Sequence, residues 1–214
     1  RRRQVRRGDA VNSKRVRVYP GIVLPEKTVP KKTVSINTTS ESEEVIFSSD
    51  AITLIDKNDI EELKSTAERN ERRRVRLCTH PDVEDRLHEM FIVHTKDTYI
   101  RPHKHLNKSE SLHVIEGTVD LVTFDEEGSI VGLTQLGDYA SGRNFYHRFT
   151  EPRYHTLVIT SEALIFHEVT NGPLIRVDTV RAPWSPAEDD IPAANEYLEN
   201  LVKSIDQFAA AIKH

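Results

Sequence analysis

The sequence predicts a mainly β protein, an antiparallel barrel or sandwich with a short N-terminal helix and a C-terminal helix. Two observations carry that prediction. From residue 87 onward, short β-branched and aromatic segments recur at near-regular spacing with turn residues between them. Apolar residues recur at helical spacing in two places, one on either side of this region, and the pattern does not alternate strand with helix as a βαβ fold would. The 214 residues, 37% hydrophobic and 30% charged, suffice to bury one good core, so a single domain with appendages is expected.

Residues 1–43 read as a basic tail and linker. Residues 1–35 hold eleven Arg and Lys against Asp9 and Glu26, which leaves −13 for the rest of a chain whose net charge is −4. Arg1, Arg2, Arg3, Arg6 and Arg7 offer charge to an anionic partner. The segment nevertheless has no recognisable reading module and no aromatic beyond Tyr19, so nucleic acid is not an expected partner. Pro20, Pro25 and Pro30, followed by a Ser/Thr/Asn/Glu run, have the composition of an extended linker. The folded domain is therefore placed at 44–214.

Within that domain, Asn58 and Glu61 have capping-box spacing, and Ile60, Leu63 and Ala67 follow as a helical stripe to about Glu71. The clearest strands are 87–95, 97–103, 110–116, 119–124, 129–136, 154–160 and 163–170. Asp125 to Gly128 forms a hairpin turn in which Gly128 takes positive φ. Pro192 opens a second helix whose stripe is Tyr197, Leu198, Leu201, Val202, Ile205, Phe208 and Ile212. Cys78 is the only cysteine, so an internal disulfide is excluded. No window is long and apolar enough to span a membrane, and the basic start is not followed by a signal-peptide core. A cytoplasmic protein without membrane association is expected.

The chemistry is concentrated in Ile100-Arg-Pro-His103-Lys-His105-Leu-Asn-Lys-Ser-Glu110. Strand side chains alternate faces, so His103 and His105 point one way, and a turn through Asn107 and Lys108 returns Glu110 beside them. Gly117 closes the strand where a hairpin is needed. His155, at the entrance to an apolar strand after Pro152, is carried across the barrel toward the same point. Three imidazoles and a carboxylate suit one divalent transition metal, Fe, Mn, Ni or Zn, with no thiolate competing. His147 is the rival for the fourth position.

His103, His105, Glu110 and Gly117 match the first motif of the cupin superfamily, and His155 matches the ligand of its second. Arg74-Val-Arg-Leu-Cys-Thr-His80-Pro, Tyr99-Ile-Arg-Pro-His-Lys-His, Lys108-Ser-Glu-Ser and Ala182-Pro-Trp184-Ser-Pro resemble the WbuC-type cupin fold metalloproteins of bacterial O-antigen and other surface-polysaccharide gene clusters. The resemblance spans roughly residues 46–200. It implies a metal-binding cupin (jelly-roll) β-barrel, a homodimer, and a sugar-related substrate in surface-polysaccharide (lipopolysaccharide) biosynthesis whose reaction is undefined. Two departures stand out: Asp97 replaces the glycine that opens the first motif, and Pro152 stands where a glycine precedes the second-motif histidine.

Arg101 and Tyr99 share strand parity with His103 and His105, which makes them candidate substrate-binding residues, Arg101 for a carboxylate or phosphate. His80 joins them through its place in the resembling segment. His88 and His94 share one parity on a strand whose other face carries Leu87, Phe91 and Val93, so they are expected to face solvent or a neighbouring element. His113 is expected to point away from the metal, and Trp184 to pin the C-terminal segment to the barrel. Two function classes follow. One is a metal-dependent enzyme, an isomerase or oxygenase, acting on a small-molecule ligand. The other is a non-catalytic metal-dependent binding or sensor module, and fold alone does not separate them.

Overall fold

In the computed structural model, which describes residues 36–212, twelve strands and two helices follow one another along the chain. The N-terminal part holds β1 (Thr38–Ser40), β2 (Val45–Ser48), α1 (Lys57–Arg69), β3 (Arg74–Cys78) and β4 (Leu87–Thr95). The middle holds β5 (His103–His105), β6 (Glu110–Glu116), β7 (Thr118–Phe124), β8 (Ile130–Gly137) and β9 (Tyr146–Phe149). The chain ends with β10 (Tyr154–Ile159), β11 (Ala163–Asn171), β12 (Thr179–Arg181) and α2 (Ile191–Ala211). The expected tail lies outside the described residues up to residue 35; of its remainder, Thr38–Ser40 is the edge strand β1.

The strands form a seven-stranded sheet, β1-β2-β3-β4-β11-β6-β9, and a five-stranded sheet, β12-β5-β10-β7-β8. Every pair is antiparallel except β2 with β3. The mainly β architecture with a helix at each end is as expected, and its jelly-roll barrel takes the form of two facing sheets whose edges are not joined by a strand ladder. The sheets come together next to β8 and β9, where Leu136 and Asn144 form a single isolated bridge ahead of a β9 of only four residues.

Four layers result. Between the sheets lie Met90, Ile92, Leu112, Val114, Leu164 and Phe166 from the larger and Val119, Leu121, Leu136, Leu157 and Ile159 from the smaller. Outside the larger sheet, Ile60, Leu63 and Ala67 of α1 cover Val75, Leu77, Val93 and Ile165. Outside the smaller, Leu201 and Ile205 of α2 cover Val122, Phe124, Tyr154 and Val158. Each large apolar side chain so buried stabilises the fold by about 1.5–3 kcal/mol. Val202 and Ile212 of the predicted stripe instead stay exposed. None of the described helices is long and apolar enough to cross a membrane.

The strand expected over 97–103 is an irregular segment that becomes β5 only at His103. Asp97 sits at φ +69°, a left-handed conformation that aspartate tolerates better than most residues, so it serves where the resembled motif has glycine. Pro102 donates no backbone hydrogen bond. The first helix begins two residues earlier than the Asn58 cap predicted: the Asp56 carboxylate accepts from the Asn58 and Asp59 amides at 2.8 and 3.2 Å, and Asp59 accepts from the Asp56 amide at 2.7 Å. The Gly128 turn forms as expected at φ +93°, with the Asp125 carboxylate accepting from Ser129 N at 2.7 Å.

Candidate metal centre

His103 and His105 project from the same face of β5, and β5 lies against β10 with His103 directly opposite His155. Asn107, at φ +53°, turns the chain so that Glu110 opens β6 on the opposing sheet. The four side chains thus meet across the gap between the sheets, each offering one ligand atom, all within 4.8 Å of one another. His105 Nε2 stands 2.8 Å from Glu110 Oε2, and His155 Nε2 3.4 Å from Glu110 Oε1.

The other ring nitrogens fix which atom faces inward. His103 Nδ1 and His155 Nδ1 each donate to a backbone carbonyl, of Arg101 and Arg153, at 2.9 Å. A carbonyl can only accept, so both rings carry hydrogen on Nδ1 and present the Nε2 lone pair to the centre. Thr179 Oγ1 holds His105 Nδ1 at 3.1 Å. His105 Nε2 is buried without a hydrogen bond of acceptable geometry despite its closeness to Glu110. Two ligands of one cation approach each other in this way, and the donor set of three imidazoles and a carboxylate fits Fe, Mn, Ni or Zn.

The electrostatics of the four groups differ. Burial, with repulsion from His155, keeps the His103 pKa well below the usual imidazole range, in its neutral ligating form. Burial pushes the Glu110 carboxyl up, but the adjacent His105 and His155 outweigh it and hold it well below the usual carboxylate range. His155 is pulled down by burial and up more strongly by Glu110. Cys78, pushed up to about 11 by burial, is a thiol at neutral pH and a poor ligand.

A cavity of about 440 Å³ surrounds these groups. His80 lines it, stacked on His88 with ring centroids 4.2 Å apart and with its Nδ1 accepting from Glu89 N at 3.2 Å. Arg101 and Tyr99 do not line it. The Arg101 guanidinium donates to Ser185 Oγ (3.1 Å) and the Ala182 carbonyl (3.3 Å), while Tyr99 donates to the Pro186 carbonyl at 3.1 Å. Strand parity does not govern them because residues 97–102 are not in a strand. His147 is on the cavity wall but outside the four-residue cluster. His113 points away, exposed against Phe145, and Trp184 anchors the C-terminal segment through Nε1 to the Glu126 carbonyl at 3.1 Å.

His88 and His94 correct the reading of β4: both are buried and line the cavity. Phe91 and Val93, whose apolar character suggested the interior, instead meet α1. The same inversion hid Arg76 and Glu168, which line the cavity from β3 and β11. Arg181 and Thr179 were missed because β12 is too short to register as a strand; they stand opposite His103 and His105. Burial, with repulsion from Glu110, pushes the Glu168 carboxyl up to about 7, against the pull of Arg76, Lys108 and His155.

A family model described as a domain of unknown function, DUF6016, matches residues 55–136. No curated protein matches the chain. Similar solved structures include cupin superfamily proteins. A Bacillus subtilis oxalate decarboxylase with Mn(II) centres is 14% identical at TM-score 0.37, the match covering 45% of this chain and 24% of that one. A cupin-superfamily sugar phosphate isomerase from Silicibacter pomeroyi is 19% identical at TM-score 0.32, over 41% and 52% of the two chains. A Shewanella oneidensis protein is 13% identical at TM-score 0.39, over 48% and 66%. These matches span less than two thirds of the other chains, and with TM-scores below 0.5 the site geometry stands without them.

Proposed function

We propose that this chain is a cupin-like metalloprotein that acts on a small carboxylate- or phosphate-bearing metabolite, with His103, His105, Glu110 and His155 holding one divalent transition metal. The observation that carries the reading is the convergence of three imidazoles and one carboxylate on one cavity, with an orphaned His105 Nε2 among them. A bound metal of this kind supplies Lewis-acid polarisation of an oxygen ligand, or redox chemistry if it is iron or manganese. The protein's own groups do the rest. Arg101 O, Arg153 O and Thr179 Oγ1 orient the three rings. Glu168, on the same cavity wall, is a second carboxyl whose pKa is raised by burial and by Glu110, placed to exchange a proton with a ligand. A second carboxyl on the cavity wall beside the ligand cluster favours an enzyme, an isomerase or oxygenase, over a metal-dependent sensor.

The finer reading follows the motifs: a WbuC-type protein, cytoplasmic and homodimeric, working on a sugar-related substrate in O-antigen or other surface-polysaccharide biosynthesis. The test is elemental analysis of the purified chain after dialysis against a weak chelator, beside the His103→Ala, His155→Ala double variant. About one equivalent of metal in the first and none in the second is expected. No metal in either, after growth with metal supplied, overturns the reading.

A further inference from the structure

The cavity wall carries more positive charge than its own carboxylates neutralise. Arg72 and Arg74 are paired: Glu44 meets Arg72 Nε at 2.6 Å and Arg74 Nε at 2.9 Å, and Glu188 meets Arg72 Nη1 at 3.1 Å and Arg74 Nη2 at 2.9 Å. Arg76 and Arg181 line the same cavity, and neither forms an ion pair or side-chain hydrogen bond among the described residues. They come from opposite sheets. Arg76 is opposite Ile92 in the β3–β4 ladder, while Arg181 is opposite His103 in the β12–β5 ladder and so shares a face with a candidate ligand. Arg181 is exposed, which puts it where the cavity meets solvent. Burial lowers its pKa, and repulsion from Arg74, Arg101 and Arg76 adds to that against the opposing pull of Glu188. Glu168 also faces this wall.

We propose that Arg76 and Arg181 form an anion subsite at the mouth of the cavity that binds the phosphate group of a small metabolite. The other end of that metabolite reaches the His103, His105, Glu110 and His155 cluster. The inference deepens the metal-dependent reading and rests on it for that second end alone. Two forked guanidiniums match the charge and the acceptor oxygens of a phosphate monoester, each able to make two parallel N–H···O bonds. The cavity volume of about 440 Å³ suits a small ligand.

The experiment is calorimetric titration of inorganic phosphate into the full chain, both metal-loaded and chelator-dialysed. The variants are Arg76→Gln, Arg181→Gln, their combination, and Arg69→Gln as the control, whose guanidinium donates to Ser65 Oγ on α1 and does not line the cavity. Circular dichroism melts confirm folding, and Arg181→Lys, which keeps the charge without the fork, replaces Arg181→Gln if that variant fails to fold. Each single change is expected to weaken phosphate binding about tenfold, as loss of a charge-assisted pair does, in the dialysed as well as the loaded protein. The double change is expected to abolish binding and Arg69→Gln to leave it unchanged. Equal affinity in the wild type and the double variant, an equal loss in Arg69→Gln, or no phosphate binding by the wild type would overturn the subsite. Phosphate binding through Arg76 and Arg181 in a chain that takes up no metal would leave the subsite standing and remove the metal reading.

Discussion

His94 is a buried imidazole whose Nδ1 finds no hydrogen-bond partner, packed at 5.6 Å on the Phe166 ring. Burial, reinforced by Arg74 and Arg76, lowers its pKa to about 3 from the usual 6.5. The sign follows from that depression. The folded chain keeps the ring neutral while the unfolded chain protonates it, so stability is full above 6.5 and falls as pH drops toward 3. Between about pH 7 and pH 5 this one residue removes about 2 kcal/mol. Urea unfolding at those two pH values is expected to show that loss in the wild type and a difference smaller by the same amount in His94→Leu. Equal pH dependence in the two proteins would contradict it. At this scale the four candidate ligands were legible, because a strand's alternation and one turn suffice to bring His103, His105 and Glu110 together. Arg76, His94 and Glu168 were not. Apolar neighbours such as Val75 and Val93 mark the inward face only when one face of a sheet is covered, and here α1 covers the outer face as well.

At the scale of elements, α1 existed in the sequence as a stripe and its cap was misplaced, since Asp56, Asn58 and Asp59 all favour caps and spacing alone does not choose among them. The structure makes the choice testable. Asp56→Ala is expected to cost about 1 kcal/mol and Asn58→Ala only a few tenths, measured by thermal unfolding. The single residue between β6 and β7, Gly117, hands the chain from one sheet to the other at φ +93°. A Cβ there would run into the Ala163 carbonyl oxygen and Ser161 Oγ. Gly117→Ala is accordingly expected to destabilise by about 2 kcal/mol or more, and an unchanged melting temperature would refute the steric account. Of the strands that escaped the sequence, β1, β2, β9 and β12 have only three or four residues and β3 has five. Such segments take their conformation from a neighbour's ladder and leave too little pattern of their own.

For the whole molecule, the consequence of an unclosed barrel is that side chains hold β3 of the larger sheet to the segment after β12. Glu188 does this, meeting Arg74 Nη2 at 2.9 Å and Arg72 Nη1 at 3.1 Å, while Glu44 holds the same two arginines from the chain just before β2. The Arg74 and Glu188 side chains are only 13% and 16% exposed, so the pair is weakly screened and the loss of one partner leaves a charge poorly solvated. Glu188→Gln is therefore expected to lower stability by roughly 1–3 kcal/mol, seen as a drop of several degrees in melting temperature that added salt does little to erase. The same carboxylate is the one that favours the charged form of Arg181 against repulsion from Arg74, Arg101 and Arg76. Its neutralisation makes the mouth of the cavity more cationic, so phosphate affinity in Glu188→Gln is expected to hold or rise while stability falls. Opposite movement of the two quantities separates a site tuned by its surrounding charges from one merely damaged by loosening the sheets, in which stability and affinity would decline together.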